Sequence, residues 1–142
     1  MTQPRLRVDH IGIAVEDLAE ARERFAKLLG IAPSPVEEVP EEGVRVSFFK
    51  LGSCRIELLE GTSRESPVSR FLDKRRSGVH HVSLALEGVD IEEHFKDLKA
   101  RGVQVLGDKP SPGSGGTKVF FVHPSAAGGV LFELSQEEGK RP

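Results

Sequence analysis

The sequence contains no tryptophan, tyrosine or asparagine, and a single cysteine, Cys54, in 142 residues. A lone thiol closes no internal disulfide, so packing must hold the fold, and a reducing compartment suits it. No apolar run approaches the roughly 18 residues that cross a bilayer, and the opening M-T-Q-P-R-L-R lacks the apolar stretch of a secretory leader. Both absences point to the cytoplasm, with no membrane partner. Neither sign of charge dominates: 20 Lys and Arg stand against 22 Asp and Glu, for a formal net charge of -2. Basic residues cluster only at Lys74, Arg75 and Arg76, read as a solvated helix end, which excludes a nucleic-acid footprint. The missing asparagine is in keeping with heat-adapted composition. With 37% hydrophobic and 30% charged residues, the chain is suited to one globular domain over 1–142.

What the chain does contain is a repeat. V-D-H-I-G-I-A-V at 8–15 returns as V-H-H-V-S-L-A-L at 79–86, each with a histidine at its third position. Alternation puts Ile11, Ile13 and Val15 on one face and His10, Gly12 and Ala14 on the other. The second copy divides in the same way, with His81, Ser83 and Ala85 opposite Val82, Leu84 and Leu86. His80 then faces away from His81. A helix follows each strand. Asp17 caps the first, with Glu20 three residues on, a stripe of Leu18, Ala21, Phe25 and Leu28, and Gly30 as terminator. Asp90 caps the second, with Glu93 three residues on, a stripe of Ile91, Phe95 and Leu98, and Gly102 at its end. Extended segments come next, at 44–51 and 55–59 in the first half and at 117–122 and 130–134 in the second.

Each half therefore reads as strand, helix, then about three strands. Module one spans about 6–65 and module two about 78–137, with a short connector helix from Ser66-Pro67 over about 66–77. Neither module alone has enough apolar surface for an independent core, so the two are expected to share one assembly. The acidic run Glu37, Glu38, Glu41 and Glu42 reads as a solvated hairpin, and the loop 110–118 as a flexible one.

Duplicated modules bring equivalent positions together, so His10 and His81 are candidates to converge. The last strands add a second matched pair, Glu57 between Ile56 and Leu58 and Glu133 between Phe132 and Leu134. Two imidazoles and two carboxylates suit an octahedral divalent ion with positions left for water or substrate. These donors fit Co, Mn, Ni, Fe or Zn and do not choose among them. Taken singly, a histidine or glutamate on a strand is usually solvated. His94 is read on the exposed side of its helix, and His123 as a turn residue before Pro124 or at a site's mouth.

The segments D-H-I-G-I-A-V, P-E-E-G-V-R-V, I-E-L-L, S-P-V-S-R-F-L, G-V-H-H-V, G-V-Q-V-L and H-P-S-A-A-G-G-V-L-F-E-L together resemble the methylmalonyl-CoA epimerases, within the vicinal oxygen chelate superfamily. The likeness runs from about residue 6 to 136. It implies an α+β fold of two paired β-α-β-β-β modules, whose strands form a curved mixed sheet around a central metal site with helices outside. By position it makes His10, Glu57, His81 and Glu133 the metal ligands and Glu133 the base, with cobalt the favoured ion. It also implies an acyl-CoA substrate, a homodimer, and interconversion of two epimers by removing and returning the proton at the α-carbon.

Glu57 stands where some members have glutamine, which adds a negative charge beside the ion. Val46 stands where some carry a glutamate, leaving a water, Glu42 or another group, or rotation of the enolate, to complete the inversion. Ser125 and Gly115 also depart from common residues. The competing readings are a glyoxalase-type isomerase or lyase, and a metal-free small-molecule binder of the same fold.

Overall fold

The computed structural model describes residues 3–75, 77–113 and 116–139. Along the chain run β1 (Arg5–Ala14), α1 (Leu18–Leu29), β2 (Glu37–Val39), β3 (Val44–Leu51), β4 (Cys54–Gly61), α2 (Pro67–Leu72), β5 (Gly78–Glu87), α3 (Ile91–Ala100), β6 (Ser111–Pro112), β7 (Thr117–Val122) and β8 (Leu131–Glu137). The expected β-α-β-β-β order occurs twice, with α2 between. Among the described residues, eight strands hydrogen-bond in the order β2-β3-β4-β1-β5-β8-β7-β6. The sheet is mixed, because β1–β4 and β5–β8 pair parallel while β3–β4 and β7–β8 pair antiparallel. Parallel pairing needs a long crossover, and each half supplies one containing a helix. The chain divides into two compact units within β1 and β5, one of them His10–His80 and the other the remainder.

In the unit His10–His80, α1 covers one sheet face. Val15, Leu18, Ala21, Phe49 and Leu58 are buried there, with Ile13, Phe25, Ala26, Leu29 and Ile56 packed around them. The helix begins where the Asp17 side chain accepts from the Glu20 amide at 3.0 Å. It ends at Gly30, whose φ of 72° is a left-handed conformation that glycine adopts without penalty. The expected stripe fails at Leu28, which is 75% exposed, while Leu29 joins the core instead. Arg22 explains the difference, since its Nε donates to the buried Ser47 hydroxyl at 3.1 Å and an Nη to the Ser34 carbonyl at 3.0 Å. An arginine turned inward rotates the buried arc of the helix away from Leu28. On the alternate face Ala14, Val44 and Leu59 pack under Val68, Phe71 and Leu72 of α2. Gly61 lies so close beneath this helix that an added Cβ would run into the hydroxyls of Ser66 and Ser69. The acidic hairpin is as expected: Glu37 and Glu38 are exposed on β2, and Glu41 and Glu42 are exposed in the turn after it.

In the other unit, Leu86, Ile91, Phe95, Phe120, Val122 and Leu134 form the core beneath α3. Asp90 occupies the position before α3 but makes no capping hydrogen bond through its side chain. Gln136, on β8 and 5% exposed, does that work: its Oε1 accepts from the Ile91 amide at 3.0 Å, and its Nε2 donates to the carbonyls of Val89 at 2.8 Å and Leu86 at 3.3 Å. A carboxylate only accepts, whereas an amide serves an orphan N–H and two carbonyls together. Glu60 is its counterpart in the first half, accepting from the Leu18 amide at 2.9 Å while Arg45 holds its other oxygen at 2.8 Å. Each helix start is thus tied to the last long strand of its own half. Gln136→Leu strands three backbone groups that are buried or partly buried and is expected to cost about 2–3 kcal/mol. Urea unfolding checks this, and a loss below about 0.5 kcal/mol would remove the structural role assigned to Gln136.

No helix among the described residues is long and apolar enough to cross a membrane. The loop 110–118 opens as a hairpin, with Ser111 paired to Val119. Its Ser114 and Gly115, like Arg76 of the basic cluster, lie outside the described residues.

Candidate active site

Strand register builds the same frame in each half. In the first, parallel β1 and β4 set His10 opposite Arg55 and Gly12 opposite Glu57. Antiparallel β3 places Phe48 on the far side of Glu57. Paired residues share a face, so the Glu57 side chain rises between a glycine and a phenylalanine, diagonally beside His10. His10 Nε2 and Glu57 Oε2 are 3.7 Å apart, with the side chains 12% and 19% exposed. Arg55 stacks over the Phe48 ring at 5.2 Å from its centroid.

In the second half, β5 and β8 set His81 opposite Leu131 and Ser83 opposite Glu133, and β7 places Phe121 beside Glu133. The correspondence is residue for residue: histidine, a small residue two positions on, a glutamate across from it, and a phenylalanine beyond. One place differs in a way that matters for chemistry. Ser83 fills the position of Gly12, is 1% exposed, and its hydroxyl lies 2.6 Å from Glu133 Oε1.

The other histidines serve the fold. His80 lies edge-on to Phe71 with ring centroids 5.1 Å apart, and burial pulls its pKa below the usual 6.5. His94, expected exposed, is half-buried against Phe120 at 6.4 Å. Burial lowers its pKa, Asp97 acting against this and Arg101 with it. His123 caps the turn Pro124–Ala127: its Nδ1 accepts from the Ser125 amide at 3.0 Å and lies 2.8 Å from the Ser125 hydroxyl. Ser125 thus anchors that turn. Arg75 lies over the Phe71 ring at 4.3 Å. Val46 pairs with Glu37 of β2, so the carboxylate in register with that position is Glu37, while Glu42 lies in the exposed turn.

Phe48 and Phe121 escaped the sequence reading, which placed Ser83 on the face of His81 without giving it a role. The two phenylalanines leave a trace, since V-S-F-F-K-L and V-F-F-V both carry a doubled Phe. In each doublet one ring enters the core, Phe49 and Phe120, and the other flanks a glutamate.

The class of protein follows from comparison with known families. Residues 9–121 match the Glyoxalase/Bleomycin resistance protein/Dioxygenase superfamily. The chain belongs to this superfamily and, within it, falls among the methylmalonyl-CoA epimerases. It is 37% identical to the mitochondrial methylmalonyl-CoA epimerase of Bos taurus, over 92% of this chain and 74% of that one. It is also 37% identical to the ethylmalonyl-CoA/methylmalonyl-CoA epimerase of Cereibacter sphaeroides, over 92% and 97%. A variant of the Streptomyces coelicolor methylmalonyl-CoA epimerase in complex with 2-nitronate-propionyl-CoA superposes with a TM-score of 0.80 at 34% identity, covering 96% of this chain and 97% of that one.

Proposed function

We propose that this chain epimerises methylmalonyl-CoA with the help of one divalent metal ion held by His10, Glu57, His81 and Glu133. The observation that carries the reading is the frame written twice, each copy offering an imidazole and a carboxylate, in a chain whose relatives bear the epimerase name. The two donors of the first half are spaced as an ion requires. Ligand atoms at about 2.1 Å from one metal stand no more than about 4.2 Å apart, and His10 Nε2 and Glu57 Oε2 are 3.7 Å apart. Nitrogen and oxygen donors of this kind suit first-row metals, with cobalt favoured by resemblance alone.

The ion, when bound, supplies Lewis-acid stabilisation of charge on the thioester and carboxylate oxygens of the substrate. The chain's own residues do the rest. His10, Glu57 and His81 orient the site, and Glu133 takes the proton from the α-carbon. Phe48 and Phe121 stand in register beside the two glutamates. Inversion calls for a proton to return on the other face, and Val46 has no group to give one. The family resemblance supports a homodimer, and the single cysteine suits a reducing compartment such as the cytoplasm.

The test is deuterium incorporation at the α-carbon of methylmalonyl-CoA in heavy water, with metal-free and metal-restored protein in parallel. Metal-dependent exchange accompanied by interconversion of epimers is expected. Metal uptake without exchange would overturn the substrate and leave the site to another isomerase or lyase reaction. Exchange by metal-free protein at the same rate would overturn the role of the ion.

A further inference from the structure

We propose that Ser83 makes the two matched glutamates unequal, by holding one oxygen of Glu133 so that this carboxylate meets a bound ion through its other oxygen alone. The inference rests on the metal-site reading above. The hydroxyl is 1% exposed and 2.6 Å from Glu133 Oε1, within the range of hydrogen bonds to ionised oxygen. Ser83 donates, and the carboxylate oxygen accepts. A buried hydroxyl has no water to turn to, and the strand pairing of Ser83 with Glu133 keeps donor and acceptor side by side.

The first half lacks this device. Gly12 occupies the equivalent place opposite Glu57 and has no side chain to donate. Glu57 has the His10 imidazole 3.7 Å from its Oε2. The duplication therefore yields two carboxylates at matched positions with different tethers. A carboxylate that binds an ion through both oxygens is poorly placed to receive a proton. One pinned through Oε1 keeps a single orientation, and hydrogen bonds to ligating carboxylates commonly serve this purpose. Ser83 is thus a positioning residue acting through Glu133, and it explains why proton transfer belongs to Glu133 and not to Glu57.

The test compares Ser83→Ala and Ser83→Thr with the unaltered chain. Metal-free protein is titrated with cobalt(II), following the visible absorption band and measuring affinity by competition with a chelator, and kcat and KM are measured on methylmalonyl-CoA. Ser83→Ala is expected to change the cobalt band, and to shift metal affinity and lower kcat by about 10-fold each with KM unchanged. Ser83→Thr keeps the hydroxyl and should restore all three. An Ala variant with unaltered band, affinity and kcat would overturn the proposal. So would one whose melting temperature falls while the band stays the same, since that describes a packing role only. If the Ala variant does not fold, Ser83→Cys keeps the size with a much weaker donor, and an unaltered cobalt band in that variant is equally fatal. Failure of the underlying reading shows separately, as an unaltered chain that takes up no cobalt.

Discussion

His10→Ala is expected to abolish tight metal retention and to lower kcat/KM on the order of 10³-fold or more, about 4 kcal/mol of transition-state stabilisation. The imidazole Nε2 stands 3.7 Å from Glu57 Oε2, and its side chain is only 12% exposed. Alanine removes one of the four proposed donors without touching the apolar clusters beneath α1 and α2, to which His10 does not belong. The fold should persist, with unchanged circular dichroism. A second signature is thermodynamic: an ion bound only by the folded state raises stability by mass action, so cobalt should raise the melting temperature of the unaltered chain and not that of the variant. Metal content per chain, melting with and without cobalt, and exchange at the α-carbon measure the three effects. Full activity with a full complement of metal in the variant would sink the metal-site reading.

Phe120→Ala is expected to cost about 3–5 kcal/mol of stability, a large share of the roughly 5–15 kcal/mol available to a domain of this kind. Phe120 is 2% exposed, packs edge-on to Phe95 of α3 with centroids 5.2 Å apart, and pairs with the buried Leu134 of β8. Truncation forfeits the transfer free energy of the ring, its contact with Phe95, and the dispersion contacts around the cavity it leaves. Urea unfolding at constant slope provides the measurement. A loss under about 1 kcal/mol would show that neighbouring side chains collapse into the space, and that α3 is not anchored through this ring. The adjacent Phe121 makes the contrast: it flanks Glu133 from the alternate face, so its loss should weigh on activity more than on stability.

Much of the architecture is legible from local pattern. Alternation along 8–15 and 79–86, a cap followed by a 3.6-residue stripe, and glycines at helix ends are short-range signals, and they placed α1, α3 and the long strands correctly, whereas the connector helix expected over about 66–77 stops at Leu72 with Asp73 as its cap. Two of the expectations that failed depended on distant partners. Leu28 fits a helical stripe, but Arg22 reaches inward to Ser47 and Ser34 and shifts the buried arc. Asp90 fits a cap, but Gln136, 46 residues downstream, carries the donor and acceptors that the site requires. The edge strands β2 and β6 are too short to show a period.

The same division runs through the site. Read alone, the chain supplies the duplication, the two histidines and the two glutamates, because a repeated pattern marks equivalent positions before any geometry is known. Register is a property of strands that are far apart in sequence, and the sequence does not state it. Only tertiary structure sets Glu57 between Gly12 and Phe48, sets Glu133 between Ser83 and Phe121, and brings a buried hydroxyl to one carboxylate and not to the other. Local periodicity decides which face a side chain takes, and long-range pairing decides what it meets there.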